Sequence, residues 1–305
     1  MNKLGMDLMA VGNLYEGIRL RESGIKSPIQ VFGSTLSESA NIYVKYDLMP
    51  TFARTADPAE YMTVLGKDIP LKVWIKMETG LGRLGIFPED LIPMLLNIKN
   101  NTPYSVEGIY THIGARASSG TDADIAYCEK QWELCEEYIE KVNAEGFRIP
   151  YFQVASTHTA IALPQSWSNC VCLGSALYAD KITHRAKIAI QKRDAFQGLK
   201  SKLISVKHFQ RGSQIGGVIL ERDSLIGVVP IGLGDGWVGK NKGEDVIIKG
   251  KRCKIICGIS LEHTRIDLTD VGEVCVGEVV TLVGKDGNEE ITVEEMCERL
   301  SCGTA

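Results

Sequence analysis

The ten residues Lys76–Gly85, which read KMETGLGRLG, begin at the end of the apolar run Val73–Met77. Five further apolar runs stand in the first part of the chain: Leu8–Val11, Ile29–Phe32, Val106–Ile113, Phe152–Ala155 and Cys170–Leu173. Amphipathic segments separate the runs, and the clearest extends from about Asp122 to Ala144 with its apolar residues largely on one stripe. Buried strands that alternate with helices predict a parallel α/β sheet, and the number of repeats favours a (β/α)8 barrel over a doubly wound sheet.

The pattern changes after about Ile190, where short strand-like runs follow one another with glycine-containing turns between them. These runs are Leu203–Val206, Ile215–Leu220, Leu225–Ile231, Asp245–Ile248, Lys254–Ile256, Arg265–Leu268 and Val279–Val283. They predict an all-β domain, followed by a final helix that begins near Thr292. We therefore predict a barrel domain at residues 1–190 and a β domain at residues 191–305.

The composition is that of a globular protein and favours small-molecule chemistry. Hydrophobic residues make up 44% of the 305 residues, and the net charge of −4 argues against a broad nucleic-acid surface. No apolar run reaches the ~18 residues that a membrane span needs, and no signal peptide is evident, so we expect a cytoplasmic protein without a membrane partner. The nine scattered cysteines indicate reduced thiols, and their spacing predicts no metal site.

Three motifs carry a resemblance to a known family. The segment Lys76–Gly85 resembles the alanine racemase barrel motif, K-x-D-T-G-M-G-R-L-G, and Tyr110–His112 resembles its Y-T-H strand. Further on, Val229–Gly236 resembles its V-P-I-G-Y-A-D-G turn, and near the start 10–13 is weakly similar to its A-V-A-N. The motifs stand in the family's order, and the resemblance covers nearly the whole chain.

This resemblance implies a pyridoxal-phosphate enzyme that interconverts L- and D-alanine. The implied fold is a barrel of the (β/α)8 type, here with its first strand missing, followed by an all-β C-terminal domain. The implied assembly is a homodimer with two composite active sites, each at the C-terminal mouth of one barrel and completed by the partner's β domain. In the family a first-strand lysine forms a Schiff base with the cofactor and acts as one catalytic base, and a tyrosine of the other subunit is the second base.

Three residues of the barrel motifs take roles from this resemblance. Arg83 corresponds to the arginine that contacts the cofactor phenolic oxygen and the substrate carboxylate, a role that suits a planar guanidinium. His112 corresponds to the histidine packed beside the cofactor ring. Lys76 matches a lysine that is carbamylated in many family members and orients that arginine. The alternative is a structural lysine in an ion pair with Glu78.

Four further residues are expected to bind the cofactor. Thr157 stands where a family serine offers its hydroxyl to the phosphate, and Gly174 and Ser175 lie in the segment whose backbone N–H groups bind it. Cys172 replaces the arginine that faces the pyridine nitrogen. Three interpretations of Cys172 remain open. It could be a neutral thiol beside the ring nitrogen, a thiolate paired with a charged His112, or a buried core cysteine without a role in the site.

The sequence also departs from the family pattern at both catalytic bases. The first-strand lysine has no counterpart, and we expect that the chain is a fragment of a longer product. The second-base tyrosine should fall near Gly216 or Gly217, yet no tyrosine follows Tyr178. The family's substrate-proximal M-D-Q segment reads Leu261-Glu262-His263 here, so we expect Leu261 near the substrate and His263 as a substitute base. The alternative for His263 is a solvent-exposed turn histidine.

These departures leave three hypotheses for function. The first is an alanine racemase, the second a racemase for another amino acid, and the third a non-catalytic homologue or fragment that retains the fold.

Overall fold

The computed structural model describes residues 6–114, 122–156, 159, 168–174, 198–237, 245–293, 295 and 296. The chain divides into two compact units, Met1–Arg193 and Asp194–Ala305. Each unit contains its own cluster of buried apolar side chains. No helix in the described part of the chain is both long and apolar enough to cross a membrane.

The first unit alternates strands and helices, as its apolar pattern predicts. Its described strands are β1 (Met9–Val11), β2 (Ile29–Val31), β3 (Thr51–Phe52), β4 (Lys72–Lys76), β5 (Ser105–Tyr110), β6 (Tyr151–Ser156) and β7 (Cys170–Cys172). Its described helices are α1 (Leu14–Glu22), α2 (Ala40–Lys45), α3 (Asp57–Leu65), α4 (Leu91–Asn101) and α5 (Asp122–Ala144). Apolar periodicity thus predicted α5 correctly, whereas the two-residue strand β3 was too short to be recognised.

All strand pairs that the structure describes in this unit are parallel. Strands β3 to β7 pair in chain order in one sheet, and β1 pairs with β2. A parallel bridge between Gln30 and Met49 links β2 to the segment just before β3. Because parallel strands end on the same side of a sheet, the segments that follow β4, β5 and β7 share one edge.

The two faces of β4 have different surroundings. Val73 and Ile75 belong to the main buried apolar cluster, together with Leu91 and Leu95 of α4. Trp74 points the opposite way and joins a separate buried cluster with Met49 and Tyr110. This alternation places Lys76, two residues after Trp74, on the inner face of the sheet.

The inner face is packed by aromatic rings. The Trp74 ring stacks on Tyr151 with centroids 5.8 Å apart and meets Tyr110 edge-on at 6.2 Å. Gly108 is the register partner of Trp74 on β5, and a Cβ atom there would collide with the indole ring. A glycine at this position is therefore needed for Trp74 to fit.

All strand pairs among the described residues of the second unit are antiparallel. Its described strands are β8 (Gly198–Lys202), β9 (Ser205–Phe209), β10 (Gln214–Ile215), β11 (Val218–Ile219), β12 (Ser224–Val229), β13 (Asp245–Ile248), β14 (Lys251–Ile256), β15 (Thr264–Asp267), β16 (Val279–Asp286) and β17 (Glu289–Ile291). Eight of them form one sheet in the order β17-β16-β13-β14-β15-β12-β9, with β8 paired to β16, while β10 and β11 form a separate hairpin.

The structure corrects two of the predicted strands of this unit. The run Leu203–Val206 is divided, because β8 ends at Lys202, β9 begins at Ser205 and the buried Leu203 lies between them. The run Ile215–Leu220 is a tight hairpin, because Gly216 and Gly217 have φ angles of +52° and +85° that favour glycine. Strand β17 was not predicted.

The predicted start of the final helix is confirmed within the described residues. The Thr292 hydroxyl oxygen accepts a hydrogen bond from the Glu295 N–H at 3.0 Å, as expected of an N-cap. The Met296 N–H donates to the Thr292 carbonyl at 3.0 Å, which closes the first turn.

Candidate active site

The loop that follows β4 is organised by one carboxylate. Oε1 of Glu78 accepts hydrogen bonds from the backbone N–H groups of Gly80 at 2.6 Å and Gly82 at 3.0 Å. Oε2 accepts a third hydrogen bond from the N–H of Arg83 at 3.1 Å. Gly80 and Gly82 have φ angles of +127° and +69°, so glycines at both positions let the loop turn around the carboxylate. Glu78 thereby fixes the backbone from which Arg83 projects.

The ion pair between Lys76 and Glu78, which the sequence left open, is not formed among the described residues. Both oxygens of Glu78 instead accept hydrogen bonds from backbone N–H groups. Partial burial by itself raises the pKa of Glu78. The N–H donors, with Gly82 and Gly80 foremost, outweigh this effect and bring the pKa below its ordinary value.

Helix α5 and a pair of threonines connect the loop after β4 with the segment after β5. The Tyr127 hydroxyl donates to the Gly80 carbonyl at 2.7 Å. The buried Gln131 amide donates to the Gly114 carbonyl at 2.9 Å and accepts from the Gly114 N–H at 3.3 Å. A hydrogen bond of 2.9 Å also joins the buried hydroxyls of Thr79 and Thr111. The two segments are therefore fixed relative to each other.

Lys76 is the last residue of β4 and is only 4% exposed. Its ammonium nitrogen lies 5.5 Å from the centroid of the Tyr110 ring, a cation–π contact. Burial lowers the pKa of Lys76, the positive charge of Arg83 lowers it further, and Glu78 offsets part of the shift. The result is an amine that is less basic than an exposed lysine.

The Tyr110 phenol packs across the inner face and is not positioned as a base. Its hydroxyl donates to the Phe32 carbonyl at 3.0 Å and lies 3.1 Å from the Thr51 hydroxyl. Burial raises the pKa of Tyr110 above its ordinary value, so the phenol stays protonated at neutral pH. Tyr110 therefore acts as a wall of the site beneath Lys76.

His112 and Arg83 interact electrostatically at the ends of their segments. Burial lowers the pKa of His112, and the charges of Arg83 and Lys76 lower it further, so its imidazole is neutral at pH 7. The Arg83 guanidinium is exposed, and no described residue accepts a hydrogen bond from it. Since Arg83 influences both Lys76 and His112, the structure brings these predicted residues to one place.

Cys172 ends β7 and pairs in register with Ser156 of β6. It lies near enough to Tyr110 to influence the pKa of that phenol, for which burial is the larger cause. Burial raises the pKa of the half-buried Cys172 thiol, and no positive charge counteracts the shift. The suggested thiolate pair with His112 is therefore wrong, and Cys172 is a neutral thiol.

The predicted phosphate-binding residues are only partly described. Gly174 is exposed, and a Cβ atom there would meet no described atom within 4 Å. Thr157 and Ser175 lie outside the described residues.

In the second unit, two motif segments are bound to each other. The N–H groups of Leu233 and Gly234 donate to the carbonyls of Ser260 and Leu261 at 2.9 and 2.8 Å. A Cβ atom on Gly232 would collide with the backbone of Ser260 and Leu261, so this close approach requires glycine. The turn after the V-P-I-G segment therefore supports the turn that contains Leu261 and His263.

The turn at Ser260–His263 contains Leu261, which was predicted to lie near the substrate, and His263, which was predicted to be a substitute base. The Leu261 side chain is 70% exposed. The Ser260 hydroxyl donates to the His263 carbonyl at 2.9 Å and accepts from the His263 N–H at 3.0 Å, so the backbone of His263 is fixed. Its half-buried imidazole makes no hydrogen bond to another described residue. His263 is thus a turn histidine with a free ring within the described part of the chain.

Sequence reasoning missed one residue beside this turn. Arg265 follows His263 by two positions, lies in β15 and is half-buried. A Cβ atom on Gly216 would lie 2.8 Å from a guanidinium nitrogen of Arg265 and 3.0 Å from Cβ of Cys257. Because Gly216 has no side chain, the Arg265 guanidinium can occupy this space. The only sequence signal was an arginine at the start of an apolar strand.

The fold and the site together define a class of protein. The first unit is of the β/α-barrel type, with a cationic site at the carboxyl ends of its strands, and it is followed in the chain by an all-β unit. Among the described residues no group of three or more histidine, cysteine or acidic side chains could bind a metal.

Comparisons of the chain with known proteins identify the family to which it belongs. The profile described as "Alanine racemase, N-terminal domain" matches residues 1–181, and "Alanine racemase, C-terminal domain" matches residues 197–304. Alanine racemase 1 of Caldanaerobacter subterraneus is 28% identical over 98% of this chain and 78% of its own length. The chain belongs to the alanine racemase family.

Solved structures agree with this assignment. Alanine racemase from Bacillus anthracis with bound L-Ala-P superposes with a TM-score of 0.83 at 25% identity, over 98% of this chain and 78% of that one. Alanine racemase from Enterococcus faecalis gives a TM-score of 0.77 at 31% identity, over 98% and 80% of the two chains. The N-terminal β/α barrel and the C-terminal β domain are therefore shared features of the family and this chain.

The enzymes of this family depend on pyridoxal phosphate, and the described site suits that group. Pyridoxal phosphate is an anionic aromatic ring, and Arg83 offers a guanidinium that no described carboxylate neutralises. The neutral His112 can lie beside a pyridine ring, and the neutral Cys172 adds no charge near a ring nitrogen. The donor set of the first unit thus fits the cofactor.

Proposed function

We propose that this chain is an amino-acid racemase that interconverts L- and D-alanine with the help of pyridoxal phosphate. The observation that carries the proposal is the Arg83 guanidinium. It projects from a backbone that Glu78 fixes, interacts electrostatically with His112 and has no acceptor among the described residues. A guanidinium without an acceptor can bind a carboxylate or a phenolate.

The mechanism assigns separate tasks to the residues of the site. Bound pyridoxal phosphate supplies the electron sink for the charge left when the α-proton is removed. Arg83 binds and orients the substrate carboxylate through its planar donor fork. His112, in its neutral form, would pack beside the ring of the bound cofactor, and Cys172, a protonated thiol, would leave the ring nitrogen without a cationic partner.

Racemisation requires a proton to be taken from one face of Cα and returned to the other. We assign the proton transfer on one of the two faces to His263, whose imidazole makes no hydrogen bond to another described residue. Leu261, 70% exposed on the same turn, would contact the substrate. In this proposal the β domain of one subunit completes the barrel site of its partner, so the active form is a homodimer.

The remaining assignments follow the same family pattern. Residues 1–190 would form the cofactor-binding domain and residues 191–305 the β domain. Thr157, Gly174 and Ser175 would bind the phosphate, and the enzyme would act in the cytoplasm.

The test is a racemisation assay of the protein with pyridoxal phosphate, followed by polarimetry and by deuterium uptake at Cα of alanine. Replacing Arg83→Lys should lower kcat/KM by about 10²–10³, because an ammonium cannot reproduce the bidentate fork. Arg19→Lys on the outer helix α1 is the matched control and should be neutral. If the protein neither racemises alanine nor exchanges its α-proton, the proposal fails.

A second variant tests the substitute base. His263→Asn should retain the turn, since the bonds to Ser260 come from the backbone of His263, but should remove proton transfer on one face. Exchange of the α-proton should then persist for one enantiomer and collapse for the other. Equal rates for both enantiomers in the variant would exclude His263 as a base.

One observation favours a second candidate substrate. The half-buried Arg265 stands two residues from His263 and makes no ion pair with another described residue. A cation beside the proposed base would suit an amino acid with an acidic side chain. A substrate panel that includes aspartate and glutamate separates the candidates. Arg265→Met should lower turnover of the acidic substrates and leave alanine unchanged if the second candidate is correct.

A further inference from the structure

Helix α5 directs two polar side chains, Tyr127 and Gln131, to the segments from which the proposed site is built. Because the two residues are four positions apart in a helix, their side chains lie on the same face. The Tyr127 hydroxyl donates to the Gly80 carbonyl at 2.7 Å, in the loop that follows β4. The Gln131 amide binds both the carbonyl and the N–H of Gly114, in the segment that follows β5. One helix face therefore bridges the two segments.

The two contacts of α5 differ in their burial. Gln131 is 2% exposed, and its hydrogen bonds to Gly114 measure 2.9 and 3.3 Å. Tyr127 is 42% exposed, and its hydroxyl makes one hydrogen bond to a described residue. Removal of the Tyr127 hydroxyl therefore releases the loop that follows β4 without opening buried structure at Gln131.

The loop that follows β4 is shaped to receive the Tyr127 hydroxyl. Gly80 has a φ angle of +127°, and a Cβ atom there would collide with the hydroxyl oxygen of Tyr127. Both the backbone conformation and the close approach of the tyrosine thus require glycine. The N–H of Gly80 donates to Oε1 of Glu78 at 2.6 Å. The two peptide groups that flank Gly80 are therefore both held, one by Glu78 and the other by Tyr127.

This double attachment affects Arg83, which lies further along the same loop. The peptide group that Tyr127 holds is the first one after Gly80 on the way to Arg83, and Glu78 binds the Arg83 N–H at 3.1 Å. The Arg83 side chain is exposed, and no described residue accepts a hydrogen bond from its guanidinium. Within the described part of the chain, its position therefore depends on the backbone of the loop.

We propose that Tyr127 is a positioning residue that holds the Arg83 guanidinium near His112 by fixing the loop through the Gly80 carbonyl. Tyr127 acts through Arg83 and not on the substrate. The proposal rests on the proposed function only for the task of Arg83, which is to bind the substrate carboxylate.

The experiment is a titration of the His112 ring by nuclear magnetic resonance. Partial burial lowers the pKa of His112 most, and the charges of Arg83 and Lys76 lower it further, so this pKa reports on the position of the guanidinium. Arg83→Met should raise the pKa of His112 because it removes one of these charges. Tyr127→Phe should raise it by part of that amount, because the released loop lets the guanidinium move away.

A double variant separates positioning from a general loosening of the structure. If Tyr127 acts through Arg83, the pKa of His112 should be the same in Tyr127→Phe/Arg83→Met as in Arg83→Met alone. Tyr138→Phe makes the same change in α5 at a tyrosine whose ring contacts Lys141, and His112 should titrate in it as in wild type. The proposal is overturned if Tyr127→Phe leaves the pKa of His112 unchanged, or if it shifts this pKa equally with and without Arg83.

Racemisation of alanine gives a second measurement, which separates this proposal from the proposed function. In Tyr127→Phe, KM should rise about two- to tenfold, the effect of one lost hydrogen bond, with little change in kcat. A shifted pKa of His112 with an unchanged KM would support the positioning of Arg83 and reject its task of binding the substrate. If the protein racemises no amino acid, the proposed function fails, whereas the titration of His112 still decides the role of Tyr127.

Discussion

At the scale of single residues, the position of Arg83 depends on the carboxylate of Glu78. Backbone N–H groups of Gly80, Gly82 and Arg83 converge on it, and hydrogen bonds to a charged acceptor are stronger than those to a neutral one. Glu78 thus fixes the backbone of the residue that we propose binds the substrate carboxylate. Substitution of Glu78 should therefore change both the stability of the protein and the position of Arg83 in the site.

Glu78→Gln should destabilise the protein at neutral pH by about 1–2 kcal/mol, a low value because the carboxylate is half exposed. The folded-state pKa of Glu78 lies below its ordinary 4.5, so its contribution is fully present above that pH. The contribution is lost as the pH falls through the lower folded-state value. Urea unfolding at several pH values measures the difference between wild type and variant.

The matched control for this prediction is Glu89→Gln, an exposed glutamate in the segment that follows. It should change stability by only a few tenths of a kcal/mol at any pH. A Glu78→Gln loss that stays constant down to acid pH would show that the charge of Glu78 is not the cause.

At the scale of elements, the pairing of β4 with β5 determines what lies under the site. Trp74 fits on the inner face because its partner is Gly108, and Lys76 lies over Tyr110 in the same register. A side chain at residue 108 would push the indole ring and disturb the floor of the site. Strand register and site geometry are therefore linked.

Gly108→Ala should destabilise the protein by about 1–3 kcal/mol, because an added methyl group overlaps the buried indole. The loss should be smaller in a Trp74→Phe background, where the ring portion nearest residue 108 is removed. A double-mutant cycle by urea unfolding measures this coupling, which should exceed about 0.5 kcal/mol.

Gly258→Ala is the control, since a Cβ atom there would meet no described atom within 4 Å and the φ angle is not left-handed. It should change stability much less than Gly108→Ala. Simple additivity of the Gly108 and Trp74 changes would contradict the proposed contact.

At the scale of the whole molecule, the two units have separate apolar cores. The main core of the first unit extends from Val11 to Ala155 in the sequence, and that of the second from Leu203 to Met296, with no described residue in common. We expect each core to unfold with its own unit. Local opening of one unit should leave the hydrogen bonds of the other intact.

Core substitutions test this separation. Ile75→Ala and Ile266→Ala each truncate a side chain that is 0% exposed and should cost about 2–5 kcal/mol. Hydrogen exchange by mass spectrometry should show faster exchange around β4 for the first variant and around β15 for the second. Ile219→Ala, at a position that is 64% exposed, should have little effect in either unit.

Faster exchange spread equally over both units in both core variants would show that the protein unfolds as one body.

Sequence patterns predicted a large part of this arrangement. Alternating apolar runs predicted the parallel unit, helix α5 was placed at its observed bounds, and glycine-punctuated short runs predicted the β unit. Motif resemblance also selected Arg83, His112 and Cys172, which the structure places near one another. These features follow from local periodicity and from short motifs, both of which are written directly in the order of residues.

Only the tertiary structure decided the chemical state of these side chains. The sequence left open an ion pair between Lys76 and Glu78 and a thiolate at Cys172. The described residues show no such ion pair, because loop N–H groups surround the Glu78 carboxylate, and burial raises the pKa of the Cys172 thiol. The sequence also did not predict that the Arg265 side chain lies against Gly216, because the two residues are far apart in the chain. Burial, charge and hydrogen-bond partners depend on neighbours in space, which the sequence by itself does not specify.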